Sequence, residues 1–318
     1  MKTLSLLLAA LLLLASSPCL AGAAGKMVIL HSESLNYTMK VLERRFKSKH
    51  KDIRLKRVAA PTEKLAGLAA SPKTAGDVVI SDDYTMIDRL IPQQADYTIL
   101  FARNQMALCF MGQSKFASQV NATNWTDILQ KEDVRWSYPD PSLDPCGART
   151  LIVLQLAEKV LELPGFSDAM IKRAAPENIK PKALELVTLM DSGVIDYSFQ
   201  YLSTAVVRDL GYVVLDDQIN LGDYHLDKEY SQASASFTGL GGPTSFSGKS
   251  MTYGTTILAN APNPEGAETF LGFLLDQEGG LKIFEERGQA AFFPARTIDE
   301  TMKSQMPPSL QKLIEINF

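Results

Sequence analysis

Three short stretches of this sequence place hydroxyl and carboxylate side chains where helices should begin: Ser32-Glu33-Ser34, Thr62, and Ser142-Leu143-Asp144. The first turn of a helix presents backbone N–H groups without internal partners and the positive end of its dipole. Hydroxyls beside such a turn add neutral donors, and together they suit a small oxyanion without any cluster of Arg or Lys. The simpler alternative is that each side chain only caps its own helix. Other chemistry is thinly represented. His31, His50 and His225 are the whole histidine complement, and none stands in a metal-ligand spacing. No His-Glu-x-x-His, Gly-x-Ser-x-Gly or glycine-rich lysine loop is present. Ser48-Lys49-His50-Lys51 matches Ser-x-x-Lys only formally, within a charged stretch. His31 beside Ser32 or Ser34 is the one local base and nucleophile arrangement that an enzyme would use. Tyr197 and Tyr201 are the phenols that a ferric site would draw on.

Positioning these groups requires strands that end in turns. Met27 to Leu30 reads as a buried strand, followed by a helix with Leu35, Met39, Leu42 and Phe46 at helical spacing. Ile53 to Val58 is a second strand, and Pro61-Thr62-Glu63 begins a helix with Thr62 as N-cap. Asp77 to Ile80 is a third, with Ser81-Asp82-Asp83 capping the next helix. Strands alternating with helices predict a parallel, doubly wound α/β sheet. Thr98 to Phe110 is a long β-prone run suited to passing from one lobe to another, and Val134 to Tyr138 is a further strand. Asp144 followed by Pro145 is a strong helix start, and a helix from Ala183 to Met190 ends at Ser192-Gly193. Val194 to Tyr197, Gly211 to Leu215 and Met251 to Ile257 read as strands, and Gly222 to Ser247 as loops or edge strands.

Composition narrows the class. In 318 residues, 46% hydrophobic and 21% charged content fits a chain that buries real cores, in two domains or lobes. Lys plus Arg number 32 against 36 Asp plus Glu, which argues against nucleic acid or an anionic membrane surface as partner. Lys2, the apolar run Leu4 to Ala15 and the small residues around Ala21 form a secretory signal peptide over residues 1–21, too short in its apolar core to span a membrane. Pro18 beside Cys19 disfavours a lipid anchor there, so soluble export to the periplasm is expected. Cleavage removes Lys2 alone among charged side chains and leaves the mature chain one unit more acidic than −4. Cys109 and Cys146 remain, either as a disulfide or as two buried thiols.

From Met27 to Arg296 the chain resembles the periplasmic tungstate/molybdate-binding proteins of ABC transporters, in their archaeal-type branch. The resemblance is carried by His31-Ser32-Glu33-Ser34-Leu35, Asp83-Tyr84-Thr85-Met86-Ile87, Thr98 to Gln105, Asp144-Pro145-Cys146-Gly147-Ala148-Arg149, Ser192 to Tyr197, Tyr253 to Ile257 and Arg287-Gly288-Gln289. It implies a two-lobed solute-binding fold (type II) closing on one oxyanion in the interlobe cleft, with lobe 1 at 22–102 plus 256–318 and lobe 2 at 103–255. It implies a monomer that hands tungstate or molybdate to a membrane permease, uses no cofactor and catalyses no reaction. Carried over residue by residue, the ligand positions are Glu33, Ser34, Thr62, Ser142, Leu143, Asp144 and Tyr201. Glu33 stands where the family has glycine, which requires the backbone to do the binding there. Asp144 matches a carboxylate that can approach the metal of the oxyanion, but the second family carboxylate falls on Ala183, with Glu185 aligned to a neighbouring non-ligand Glu. One carboxylate cannot build an octahedral site, so a tetrahedral ion held through neutral donors is expected, with Asp144 mainly capping its helix. Sulfate, phosphate and ferric ion are the alternative ligands.

Overall fold

The computed structural model describes residues 24–239 and 242–316. The expected signal peptide at 1–21, Cys19 included, lies outside the described residues. None of the described helices is long and apolar enough to cross a membrane.

A seven-stranded sheet is built from β1 (Gly25–Ser32), β2 (Ile53–Ala60), β3 (Val78–Ser81), β4 (Ile99–Asn104), β11 (Met251–Ile257), β12 (Ala290–Thr297) and β13 (Ile314–Ile316), in the order β13-β12-β4-β11-β3-β1-β2. β1 is buried from Met27 to Ser32, with an unbroken apolar run from Met27 to Leu30, as suits a strand covered on both faces. β2, at the edge, alternates buried Ile53 and Leu55 with exposed Arg54 and Lys56. Helix α1 (Asn36–Lys49) packs Met39, Leu42 and Phe46 onto one face of this sheet, where Phe46 meets the Phe270 ring of helix Pro264–Leu274 edge-on at 5.1 Å. Helix α2 (Thr62–Ala69) buries Leu65 with Leu30 and Val79 in a separate cluster.

The sheet is mixed, not parallel throughout as its strand-helix alternation predicts. β1 runs parallel to β2 and β3, but β11 is antiparallel to β3 and β4, and β12 is antiparallel to β4. β11 reaches the sheet directly from another part of the molecule, without the crossover helix that parallel pairing requires.

A second, four-stranded sheet has the order β6-β7-β5-β8, from β5 (Met106–Phe110), β6 (Trp136–Ser137), β7 (Tyr197–Tyr201) and β8 (Gly211–Val214). Helix α3 (Pro145–Val160) packs into its core with Trp125, Trp136, Phe166 and Phe199. A hairpin, β9 (Ser234–Gly239) with β10 (Gly242–Ser247), completes this part. β7 begins at Tyr197, not at Val194, because the Val194 and Ile195 N–H groups both turn back to Leu189 O at the end of helix α4 (Ala183–Asp191). Each sheet has its own hydrophobic clusters, so the molecule is two-lobed.

The chain passes between the lobes twice: out of the larger sheet through the single residue Gln105, and back into it between Ser247 and Met251. The anticipated crossings at 102/103 and 255/256 fall inside β4 and β11, both strands of the larger sheet. Cys109 and Cys146 are buried free thiols. Cys146 Sγ donates to Phe199 O at 3.6 Å and Cys109 Sγ to Ala107 O at 3.7 Å. Burial pushes both well above the ordinary thiol range.

Candidate functional site

The three parallel strands β1, β2 and β3 end on the same edge of their sheet, where open α/β sheets bind ligands. Ser32 ends β1 and Glu33 and Ser34 follow it, Thr62 follows β2, and Asp82 follows β3. Thr62 is not the expected N-cap: Pro61 holds that position, and the Thr62 side chain points out of the helix. Its hydroxyl hydrogen has two acceptors in reach, Asp82 Oδ1 at 2.6 Å and Ser32 Oγ at 3.0 Å. The Ser34 hydroxyl donates to Asp82 Oδ2 at 2.5 Å, and the Asp82 N–H donates to Ser32 Oγ at 3.1 Å. The first lobe therefore gathers short hydroxyls around one carboxylate.

The facing wall comes from the start of α3. Asp144 caps this helix as its sequence predicts, with Oδ1 accepting from Cys146 N at 3.0 Å. Its other oxygen accepts from the Ala183 N–H at 2.9 Å, so one carboxylate ties together the first turns of α3 and α4. Gly147 lets this turn press onto the preceding loop, since a Cβ there would lie 2.1 Å from Pro139 O. Arg149 stands four residues after Pro145 on the same helical face, and its side chain leans back toward the helix start. Arg149 donates to the Tyr201 hydroxyl at 2.5 Å, and its Nε is buried without a hydrogen-bond partner among the described residues. Burial by itself would lower the proton affinity of Arg149, but Tyr201 and Asp82 outweigh it and the guanidinium is held more firmly charged. Burial pushes the Tyr201 phenol far above its ordinary value despite the opposing pull of Arg149, so it remains a hydroxyl able to donate.

These walls meet in a cavity of about 350 Å³ lined by Ser34 and Asp82 from one side and by Asp144, Arg149 and Tyr201 from the other. Asn104, Ser203 and Thr204 line it near the crossing, as do Tyr253 and Gln289. Gln289 is fixed by accepting from Thr38 Oγ1 and donating to the Tyr253 hydroxyl, both at 3.1 Å. Arg149 is the one cation among the described residues that line this cavity. An adjoining hollow of about 410 Å³ shares Asp82, Pro145 and Arg149 and is where Thr62 lies.

Of the residues singled out in sequence, the structure brings together Ser34, Thr62, Asp144 and Tyr201. Glu33 is exposed and lines neither space. Ser142 turns inward on its own loop, its N–H and hydroxyl both donating to Asp140 Oδ1 at 2.8 and 2.7 Å. Leu143 is 44% exposed and lines neither space either. Neither Asp82, expected only in a helix-capping run, nor Arg149, which stands in the Asp144 motif, is marked by the sequence as a site residue. The spacing from Pro145 to Arg149 was the available signal, because it sets the guanidinium over the capped turn.

The histidine arrangement is not a base and nucleophile pair. His31 is buried, with Nδ1 at 2.9 Å from Ser32 O and Nε2 at 3.1 Å from Arg57 Nη1. The carbonyl needs a donor and the guanidinium an acceptor, so neither ring nitrogen is left for a serine. Burial lowers its proton affinity. No group of three or more His, Cys, Asp and Glu among the described residues is placed to hold a metal ion.

Two lobes around a cleft with hydroxyl donors on one side and a buried cation on the other define an α/β binding protein of the solute-binding class. Residues 27–289 match the bacterial extracellular solute-binding protein family, and this chain belongs to it. A solute-binding protein of Petrotoga mobilis is 34% identical over 86% of this chain and 86% of its own length. The molybdate/tungstate-binding protein WtpA of Thermococcus kodakarensis is 31% identical over 99% of this chain and 98% of its own. Among solved structures, a substrate-binding domain from Clostridium difficile superposes with a TM-score of 0.61 at 19% identity, covering 84% of this chain and 99% of that one.

Proposed function

We propose that this protein captures tungstate or molybdate between its lobes outside the cytoplasm and delivers it to an ABC importer. The observation that carries this reading is the convergence of the Ser34 and Thr62 hydroxyls, the Tyr201 phenol and the Arg149 guanidinium on one connected cleft. Charge-assisted hydrogen bonds from a guanidinium are the strong ones for an oxyanion, and the WtpA relative is named for the same two ions. Ser34, Thr62, Tyr201 and Arg149 are the donors, with Asn104 and Ser203 completing the shell. Glu33 contributes only through its backbone, whereas the Ser142 and Leu143 N–H groups are both held by Asp140.

The ion is held as a tetrahedron. Both Asp144 oxygens are engaged by backbone N–H groups, and Ala183 brings no second carboxylate to the metal. Tungstate and molybdate are larger than sulfate, so cavity size provides the discrimination. The protein binds and releases its cargo without turnover. It is exported to the periplasm with loss of residues 1–21, works as a monomer and docks on a membrane permease. The lobes are residues 24–104 with 251–316, and 106–247, hinged at Gln105 and at 248–250.

Calorimetric titration with tungstate, molybdate, sulfate and phosphate, with metal analysis of the purified protein, tests this. Tight binding of tungstate or molybdate and weak binding of sulfate is the expected result. Sulfate or phosphate binding as tight as tungstate, or ferric ion co-purifying in its place, overturns it.

A further inference from the structure

We propose that Asp82 sets the affinity of the cleft by acting as its internal anion: its carboxylate holds the Ser34 and Thr62 hydroxyls and must turn away before an oxyanion uses them. The inference rests on the oxyanion reading above. Each hydroxyl has one proton to give, and those of Ser34 and Thr62 lie 2.5 and 2.6 Å from the two oxygens of the same carboxylate. An ion that takes either hydroxyl takes it from Asp82.

The Asp82 carboxylate also lines the same cavity as Arg149. A dianion placed between them meets attraction from Arg149 and repulsion from Asp82 at short range. Tungstate and molybdate carry no proton at neutral pH, so they have nothing to donate to a carboxylate. Repulsion is then relieved by moving the side chain. The main chain is pinned, because the Asp82 N–H donates to Ser32 Oγ, which leaves rotation of the side chain as the available motion. The adjoining hollow, which Asp82 also lines, contains Arg89 and Lys249. Lys249 is paired with Asp83 at 2.7 Å, so Arg89 is the cation that a rotated carboxylate meets there.

Titration calorimetry of the wild type, Asp82→Ala and Asp82→Asn with sodium tungstate and inorganic phosphate tests the role. Both variants should bind tungstate at least about tenfold tighter, the scale of one charge-assisted hydrogen bond no longer contested. Ser34→Ala should also cost more affinity in the Asp82→Ala background than in the wild type, because its hydroxyl then serves the ion alone. Asp82→Asn keeps the side chain's shape, so the test stands even if Asp82→Ala fails to fold. Equal or weaker tungstate binding in the variants overturns the proposal. So does phosphate binding that Asp82→Ala abolishes, since the carboxylate would then accept a proton from its ligand. Where the wild type binds tungstate and the variants gain nothing, only the Asp82 role falls. Where neither wild type nor variants bind it, the oxyanion reading falls as well.

Discussion

The two walls of the cleft solve the same problem with opposite materials. The first lobe presents short hydroxyls at strand ends, all referred to one carboxylate. The second presents a long cation and a phenol, set by a capped helix whose first turn is wedged against a loop. Short side chains on a rigid sheet edge have little conformational freedom to lose, but each contributes only a neutral hydrogen bond. A buried guanidinium contributes more, and it needs the whole helix start to hold it in place. The contrast implies that affinity for an anion resides mainly in the second wall, while the first wall tunes it.

Removing Arg149 is the severest way to break that contrast. Arg149→Met should weaken tungstate or molybdate binding by roughly 2–5 kcal/mol, as loss of one member of a buried charged pair does. Unchanged affinity in calorimetry would move the anion elsewhere. Next comes the scaffold beneath it. Gly147→Ala forces a Cβ to 2.1 Å from Pro139 O and should lower stability by about 1–3 kcal/mol in thermal unfolding. Gly67, in α2 of the first lobe, has nothing within 4 Å of a Cβ, so Gly67→Ala should raise stability by about 0.5–1 kcal/mol. A loss at both positions, or at neither, would deny that the second wall is the more tightly fitted.

Smaller effects sharpen the comparison within the site. Tyr201→Phe should weaken oxyanion binding by roughly 1–3 kcal/mol, because it removes a donor from the cleft and leaves the Arg149 guanidinium without its acceptor. Ser34→Ala or Thr62→Ala should cost only about 0.5–1.5 kcal/mol, since the hydroxyl lost was shared with Asp82. The reverse ranking would make the first wall dominant. The smallest effect concerns His31 beneath the first wall. Its folded proton affinity is lowered by burial from the ordinary 6.5. The unfolded chain therefore binds the extra proton first as pH falls through that value, and native stability declines until folded His31 itself titrates. The melting temperature should fall less from about pH 7 to about pH 5 in His31→Gln than in the wild type, with His50, also lowered by burial, accounting for part of what remains. An identical fall in both proteins would leave His31 with no part in it.

What was legible in the sequence follows the range of the interactions involved. The Asp144-Pro145 helix start depends on atoms two residues apart, and the structure has it as read. The strands that alternate with helices at the start of the chain were equally plain, because each is bounded by its own turn. The sheet's direction was not, since β11 pairs with β3 and β4 across long separations that no local pattern records. β12 carries Pro294 in its middle, a residue that removes a ladder donor and disguises a strand. In the site, Thr62 was read as a cap because cap and ligand positions share residue types. Asp82 was read as part of the next helix's capping run, and only its distance from Ser34 and Thr62, 48 and 20 residues away in the chain, reveals its partners.

The two crossings have a consequence for how the chain is made. β4 leaves the larger sheet at Asn104 and β11 returns to it with Met251 opposite Asn104, so everything between them is an insertion at one point of the first lobe. The inserted sheet draws all its strands from residues 106–214, whereas β4 has both its neighbours, β11 and β12, beyond residue 250. A chain that emerges N-terminus first therefore completes the inserted lobe before the host lobe that encloses it. The last strands to arrive, β11 to β13, close the larger sheet around an already finished guest.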